Sequence, residues 1–246
     1  MRRVLIVQAR MTSTRLPGKV LMDLAGRPML ERQIERLRRC RRADDIVLAT
    51  TANAADDPLA ALARRLDVRC HRGSEHDVLS RYVDAARDAR ADVVVRLTSD
   101  CPLVDPEETD LVIAALEERR DACDYASNIG HRDLPRGLDA EALWRDVLER
   151  AGRLATSAAA REHVTWHIHA ECPQLYLRHA VRRPYAAGDL RWTVDTPEDL
   201  ALVRELYAGL GLADEPRPFP EVLAFVRANP ALAALNAGIE QKRPAG

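Results

Sequence analysis

Short apolar runs alternate with longer stretches of helical period, and that alternation decides what this chain can fold into. Val4–Val7 reads as a buried strand, followed by a loop from Gln8 to Gly18. Pro28–Cys40 sets Leu30, Ile34 and Leu37 on one helical face, and Ile46–Thr50 is a second strand. Asp57-Pro58 opens the next helix, with Asp as N-cap and Pro at the first helical position. Val68–Cys70 is a short strand. Ser74 and Asp77 form a capping-box pattern ahead of a helix over Val78–Ala89. Asp92–Leu97 is another strand, and Asp105 caps a helix that runs to about Arg119. A β-α-β-α order of this kind predicts an α/β fold of three layers, a mostly parallel sheet with helices on both faces. Ligands in such sheets bind outside the carboxyl ends of the strands. Here those ends are Gln8–Gly18, Thr50–Asn53, Cys70–Ser74 and Thr98–Asp100.

The second half is more mixed. Gly137–Leu143, Leu175–Val181 and Leu190–Val194 read as strands, and Trp144–Ala155 and Ala158–Ala170 as helices. Thr196-Pro197-Glu198-Asp199 combines an N-cap, a first-position proline and a capping box, and starts a helix ending near Leu210. Two helical stretches follow, with a disordered last few residues. Without an internal repeat or linker, the 246 residues are expected to form one continuous domain.

Charge and cysteine content exclude several classes. Net charge is −1, so no bulk basic field draws the chain onto nucleic acid or an anionic membrane. No apolar run approaches the roughly 18 residues of a membrane span, and Met1–Val7 is too short an apolar core for a signal peptide. The five cysteines are scattered, with no C-x-x-C, which suits free thiols in a reducing cytoplasm. Of 37 basic side chains only Lys19 and Lys242 are lysine. Lys242 belongs to the terminal tail, so Lys19 marks a place where a compact ammonium is wanted and a planar guanidinium is not.

The loop Gln8–Lys19 is the most informative segment. It follows the first strand and carries Arg10, Arg15, Lys19, three hydroxyls and Gly18, a set suited to cradling a polyphosphate. Neither G-x-x-x-x-G-K-[ST] nor G-x-G-x-x-G is present. Asp100 and Asp195 both stand at strand ends where other residues supply the helix cap. Two such spare carboxylates suit Mg²⁺, which takes one or two carboxylates together with phosphate oxygens. Arg72-Gly73-Ser74 is a third strand-end loop, able to face a base or ribose, with Ser74 already engaged in capping. His163, His167 and His169 lack the H-E-x-x-H pattern and a clear further ligand, and are expected to pack or to face substrate without holding a metal.

These motifs resemble the CMP-sugar synthetases, which include the CMP-Kdo synthetases, the acylneuraminate cytidylyltransferases and the SpsF-type spore-coat-polysaccharide proteins. Arg15-Leu16-Pro17-Gly18-Lys19 resembles the signature of the whole group. The combination with Gln8-Ala9-Arg10-Met11, Arg72-Gly73-Ser74-Glu75, Asp77-Val78-Leu79 and Thr98–Leu103 looks most like the SpsF-type branch. So do Pro135–Asp139 with Glu141, Arg161–Thr165 and Val194–Leu200. Ser99 stands where many relatives carry Gly, and Leu134 and Ala140 where the branch often has Tyr and Val. The resemblance spans residues 4 to about 207.

It implies a nucleotide-diphosphosugar-transferase-like fold, with residues 1–125 as a nucleotide-binding half and 126–246 as an acceptor-binding half that allows dimerisation. It implies a cytoplasmic, Mg²⁺-dependent nucleotidyltransferase that moves CMP from CTP to an acidic sugar for surface glycan synthesis. Arg10, Arg15 and Lys19 would hold the triphosphate, and Asp100 and Asp195 the Mg²⁺. Ala9, Arg72 and Ser74 would lie near the cytidine, and Asn128, Arg136, Glu141, Arg161 and His163 would face the acceptor. The partners implied are CTP and a small acceptor, with no nucleic acid and no membrane. A phosphonate or phosphate acceptor and a non-catalytic nucleotide-binding protein stay open as alternatives. A glycosyltransferase fits less well, because Asp100-Cys101-Pro102 stands where a D-x-D motif would be.

Overall fold

The computed structural model describes residues 1–241; Lys242 and the expected disordered tail lie outside the described residues. Among the described residues nine strands form: β1 (Arg3–Gln8), β2 (Asp23–Leu24), β3 (Arg27–Pro28), β4 (Asp45–Thr51), β5 (Arg69–Gly73), β6 (Val93–Thr98), β7 (Tyr125–Ser127), β8 (Glu141–Trp144) and β9 (Arg178–Ala180). β2 and β3 make a small hairpin, and the other seven make one sheet in the order β5-β4-β1-β6-β8-β7-β9. β5, β4, β1 and β6 are mutually parallel, and β8 runs antiparallel to both β6 and β7. The helices are α1 (Met29–Leu37), α2 (Asp57–Arg65), α3 (Val78–Asp88), α4 (Pro106–Glu117), α5 (Arg145–Leu154), α6 (Ala158–Glu162), α7 (Pro197–Leu210), α8 (Phe219–Ala228) and α9 (Pro230–Ala234). Among the described residues no helix is long and apolar enough to cross a membrane.

The uniform apolarity of β1 follows from its place at the centre. Leu5 and Val7 pack on one face with Leu30, Ile34 and Leu37 of α1, Leu59 and Leu62 of α2, and Val112 and Leu116 of α4. Val4 and Ile6 point the other way, into Leu79, Tyr82 and Val83 of α3 and Val147 and Leu148 of α5. Each such aliphatic side chain contributes about 1.5–3 kcal/mol on leaving water. Both faces are covered, as a parallel sheet requires. The buried Tyr82 hydroxyl reaches the carbonyls of Ile6 (3.2 Å) and Leu97 (2.8 Å) and so spans β1 and β6.

Several local expectations are corrected. Asp77, not Ser74, caps α3: its carboxylate accepts from the Ser80 amide at 2.8 Å, and Ser74 Oγ accepts from the Asp77 amide at 3.0 Å. Asp57 is the first residue of α2, and no side chain caps that helix. The strand expected over Leu190–Val194 is a single bridge between Arg136 and Arg191. Its amides serve two partners: Trp192 donates to the Arg136 carbonyl (2.7 Å) and Val194 to that of Asp100 (2.8 Å). The helix expected over Ala158–Ala170 breaks after Glu162, where Val164 takes φ 51°. A β-branched residue with positive φ is costly, and full burial of Val164 and Thr165 offsets that cost.

Candidate active site

The loop after β1 is built on a buried carboxylate that sequence reasoning passed over. Asp56, 1% exposed, accepts from the Met11 amide at 2.7 Å and from the hydroxyl and amide of Thr51. It therefore ties the loop to the carboxyl end of β4. Gly18 closes the loop with φ 70°, its amide donating to the Met11 carbonyl at 2.9 Å. That left-handed turn favours glycine, and it starts the short helix Lys19–Leu21, which sends Lys19 inward.

Lys19 is 8% exposed. Its ammonium donates to the Val194 carbonyl (2.7 Å) and to Asp195 Oδ1 (2.8 Å), and lies 3.5 Å from Asp100 Oδ2. Two carboxylates from sequence-distant segments thus share one cation. The link between those segments is continuous with the backbone, because Val194 N and Thr193 Oγ1 both donate to the Asp100 carbonyl. Thr98 Oγ1 and Cys101 Sγ approach the other oxygen of Asp100 at 2.5 and 3.4 Å.

The sequence left both aspartates without local duties, and the structure separates them. Asp100 keeps a quarter of its side chain exposed, whereas Asp195 is engaged by Lys19, Arg15 (2.8 Å) and Arg191 (2.6 Å). Burial raises the Asp195 carboxyl, but the three cations outweigh it and hold it below the usual carboxylate range. Asp195→Asn should therefore lower stability by about 2 kcal/mol, since it strips a counter-charge from half-enclosed cations. Asp100→Asn should stay within about 0.5 kcal/mol of wild type. Urea titration of the two variants checks this difference.

Arg10 makes no hydrogen bond or ion pair among the described residues. Ala9 is buried, its amide bonded to the Ala49 carbonyl at 3.1 Å. Arg72 is committed elsewhere: its guanidinium donates to the carbonyls of Thr51 (2.9 Å) and Asn53 (2.8 Å) and pairs with Asp57 (2.7 Å). Beneath it lies a residue that sequence reasoning missed, Arg81. It is 2% exposed, donates to the Ser74 carbonyl at 2.6 Å and keeps Nε without a partner. Burial depresses its basicity, with Arg10 among the nearby charges that act the same way. Its signal was an arginine on the apolar stripe of α3, between Val78 and Ala85 at helical spacing.

The residues expected at the acceptor reach the same edge of the sheet because β8 enters antiparallel, which sets Glu141 opposite Arg96 near the end of β6. Glu141 lies below the surface, 2% exposed. It pairs with Arg96 and accepts from Tyr125 Oη (2.6 Å) and Thr165 Oγ1 (2.5 Å). Burial opposes its charge, yet Arg96 and the two hydroxyls hold it below the usual carboxylate range. Asn128 clamps the loop before β8, donating to Leu138 O (2.8 Å) and accepting from Ala140 N (2.9 Å). Gly137, at φ 107°, lies against Trp192 so closely that a Cβ would meet backbone at 2.7 Å. Arg136 beside it is partly exposed. Arg161 pairs with Asp77 (3.2 Å), and the His163 ring lies 6.2 Å from that of Trp166. Among the described residues no group of three or more His, Cys, Asp or Glu side chains is placed to hold a metal.

The cytidylyltransferase family model matches residues 4–228. The chain is 35% identical over 213 residues to the spore coat polysaccharide biosynthesis protein SpsF of Bacillus subtilis, covering 84% of this chain and 86% of that protein. It is 36% identical over 115 residues to a 3-deoxy-manno-octulosonate cytidylyltransferase of Geobacter sulfurreducens, covering 46% of this chain and 44% of that one. A solved cytidylyltransferase from Leptospira borgpetersenii superposes with a TM-score of 0.91 at 26% identity, covering 99% of this chain and all of the other.

Proposed function

The chain belongs to the cytidylyltransferase family, a family of CTP-dependent nucleotidyltransferases, and from that premise we propose that it transfers CMP from CTP to an acidic sugar with Mg²⁺, releasing pyrophosphate for surface glycan synthesis. The observation that carries the reading is the meeting of Asp100 and Asp195 on the Lys19 ammonium, at the carboxyl edge of the sheet. The donor set there is oxygen only and amounts to two carboxylates. That suits a hard cation that completes its coordination with phosphate oxygens and water. When bound, the ion would polarise the α-phosphate and offset the charge of the departing pyrophosphate.

The chain's own residues do the rest. Arg10, with no hydrogen-bond or ion-pair partner among the described residues, offers an open guanidinium to phosphate oxygens. Arg15 and Lys19 hold two more positive charges within reach of the same point. Transfer of this kind needs an acceptor oxygen in line with the α-phosphorus, so positioning and charge neutralisation supply the catalysis. Asn128 and Gly137 shape the loop that carries Arg136, whose partly exposed cation is the group we assign to the acceptor's carboxylate. Arg161 and His163 border the same side, and Glu141 supports it from beneath. Ala9 and the Arg72–Ser74 loop border the cytidine position, with Arg72 acting through the carbonyls it fixes.

A pyrophosphate-release screen of the four nucleoside triphosphates against keto-acid sugars and phosphonates tests the reading. CTP with a keto-acid sugar should give the highest kcat/KM, and Asp100→Asn and Asp195→Asn should each remove most of that turnover. Preference for UTP or GTP would overturn the base assignment, and turnover on phosphonates alone would overturn the acceptor.

A further inference from the structure

Asp195 is held from behind by a segment outside the region that the family model matches. The matched region ends at residue 228. Beyond it the chain returns to the site, and Asn236 is 4% exposed there. Its Nδ2 donates to the Arg191 carbonyl (2.9 Å) and to Asp199 Oδ1 (2.8 Å). Both acceptors belong to the group that orients Asp195. Arg191 Nη2 donates to Asp195 Oδ2 at 2.6 Å, and its Nε donates to Asp199 Oδ1 at 3.0 Å. Asp199 Oδ2 accepts from the amides of Asp195 (2.9 Å) and Thr196 (3.1 Å). Gln241 Oε1 accepts from Arg191 Nη1 at 2.6 Å and closes the same guanidinium from the other side.

We propose that Asn236 is a positioning residue for Asp195, acting through Arg191 and Asp199, so that the segment after α8 completes the metal-binding carboxylate pair. The proposal rests on the cytidylyl-transfer reading for its chemistry. Physically, Asp199 is fully enclosed, and an acceptor with that little access to water needs every donor it has. Without the Asn236 amide, Asp199 Oδ1 draws more strongly on Arg191, and the Arg191 carbonyl loses a fixed partner. Either change turns the guanidinium away from Asp195. Groups that orient a metal ligand commonly govern affinity by about 10- to 100-fold when removed.

The test compares Asn236→Leu, which keeps the branched shape and removes the donor, with Asn229→Leu. Asn229 lies in the same segment, and its side chain donates to Phe225 O alone among the described residues. Mn²⁺ binding is measured by calorimetry with and without CTP, together with the melting temperature and the steady-state constants. Asn236→Leu should weaken Mn²⁺ binding about 10-fold or more and lower kcat more than it raises the KM for CTP. Asn229→Leu should leave Mn²⁺ affinity unchanged. If Asn236→Leu fails to fold, Asn236→Ser, which retains a short donor, should show the same direction with a smaller loss. A variant that melts earlier yet binds Mn²⁺ within twofold of wild type overturns the proposal and leaves Asn236 as packing only. Absence of CTP-dependent pyrophosphate release by the wild type would instead overturn the functional reading, while the Mn²⁺ titration still decides the positioning role. A wild-type chain that binds no Mn²⁺ overturns both.

Discussion

Lys19→Arg, although it conserves charge, is expected to lower kcat/KM by about 30- to 1,000-fold, equivalent to about 2–4 kcal/mol of transition-state stabilisation. The Lys19 ammonium is buried and surrounded by the Val194 carbonyl and the carboxylates of Asp195 and Asp100. Those acceptors are arranged around a point, and an ammonium can donate in three directions from one. A guanidinium is wider, flat, and suited to a bidentate partner. Arginine here must push Asp100 and Asp195 apart or withdraw toward Arg15, and either result spoils the pair. The loss should fall on kcat more than on CTP affinity, because the charge is needed most as pyrophosphate departs. Steady-state kinetics under conditions where chemistry is rate-limiting decide this. A variant keeping more than about half of wild-type kcat/KM would remove Lys19 from the site's essential parts.

Glu141→Gln is expected to cost about 3–5 kcal/mol of folding stability, the usual result of breaking one side of a buried ion pair. Arg96 would be left inside the protein with its charge unmatched, and burial already works against that charge. Gln offers one acceptor oxygen in place of two, so Arg96 and the Tyr125 and Thr165 hydroxyls would compete for it. The pH dependence has a definite sign. Glu141 is held below its ordinary range in the folded state, so its contribution is present above the unfolded carboxylate pKa. It is lost as pH falls through the lower, folded value. Urea titrations at neutral and acidic pH should show wild type losing part of its advantage over the variant on acidification. Equal slopes would mean that the Arg96–Glu141 pair carries no pH-linked stability. Replacing both partners with apolar residues should recover much of the loss, because no charge is then stranded.

The first 120 residues could be read almost element by element. Val4–Val7, Ile46–Thr50 and Asp92–Leu97 are apolar enough to be strands covered on both faces, and the helices between them carry apolar stripes, with a side-chain cap at α3 from Asp77. Asp105 caps α4 through the amides of Glu107 and Glu108. Thr196 and Asp199 form the reciprocal box at the start of α7. Such signals are local and need no partner from elsewhere in the chain. The resemblance carried by Arg15-Leu16-Pro17-Gly18-Lys19 and the later motifs likewise led to the family.

Reading failed where a residue answers to something far away in sequence. Leu190–Val194 has the composition of a strand, yet its amides are divided between Arg136 and Asp100, so no ladder forms. The stretch Ala158–Ala170 has the right period for a helix, but Val164 turns to positive φ and Thr165 delivers its hydroxyl to Glu141. Asp56, Arg81 and Asn236 gave no motif. Each is a buried polar group whose partners come from other parts of the fold, at Met11, Ser74 and Arg191.

The sequence by itself determined the α/β architecture, the mostly parallel sheet and the family, because hydrophobic period, caps and loop chemistry act over a few residues. Only the tertiary structure decided that Lys19 holds Asp195 and Asp100 together, that Asp195 is braced by Arg191 and Asp199, and that Glu141 sits below the surface. Electrostatic partnership depends on distance in space and on exclusion of water, and neither is written in the spacing of residues along a chain.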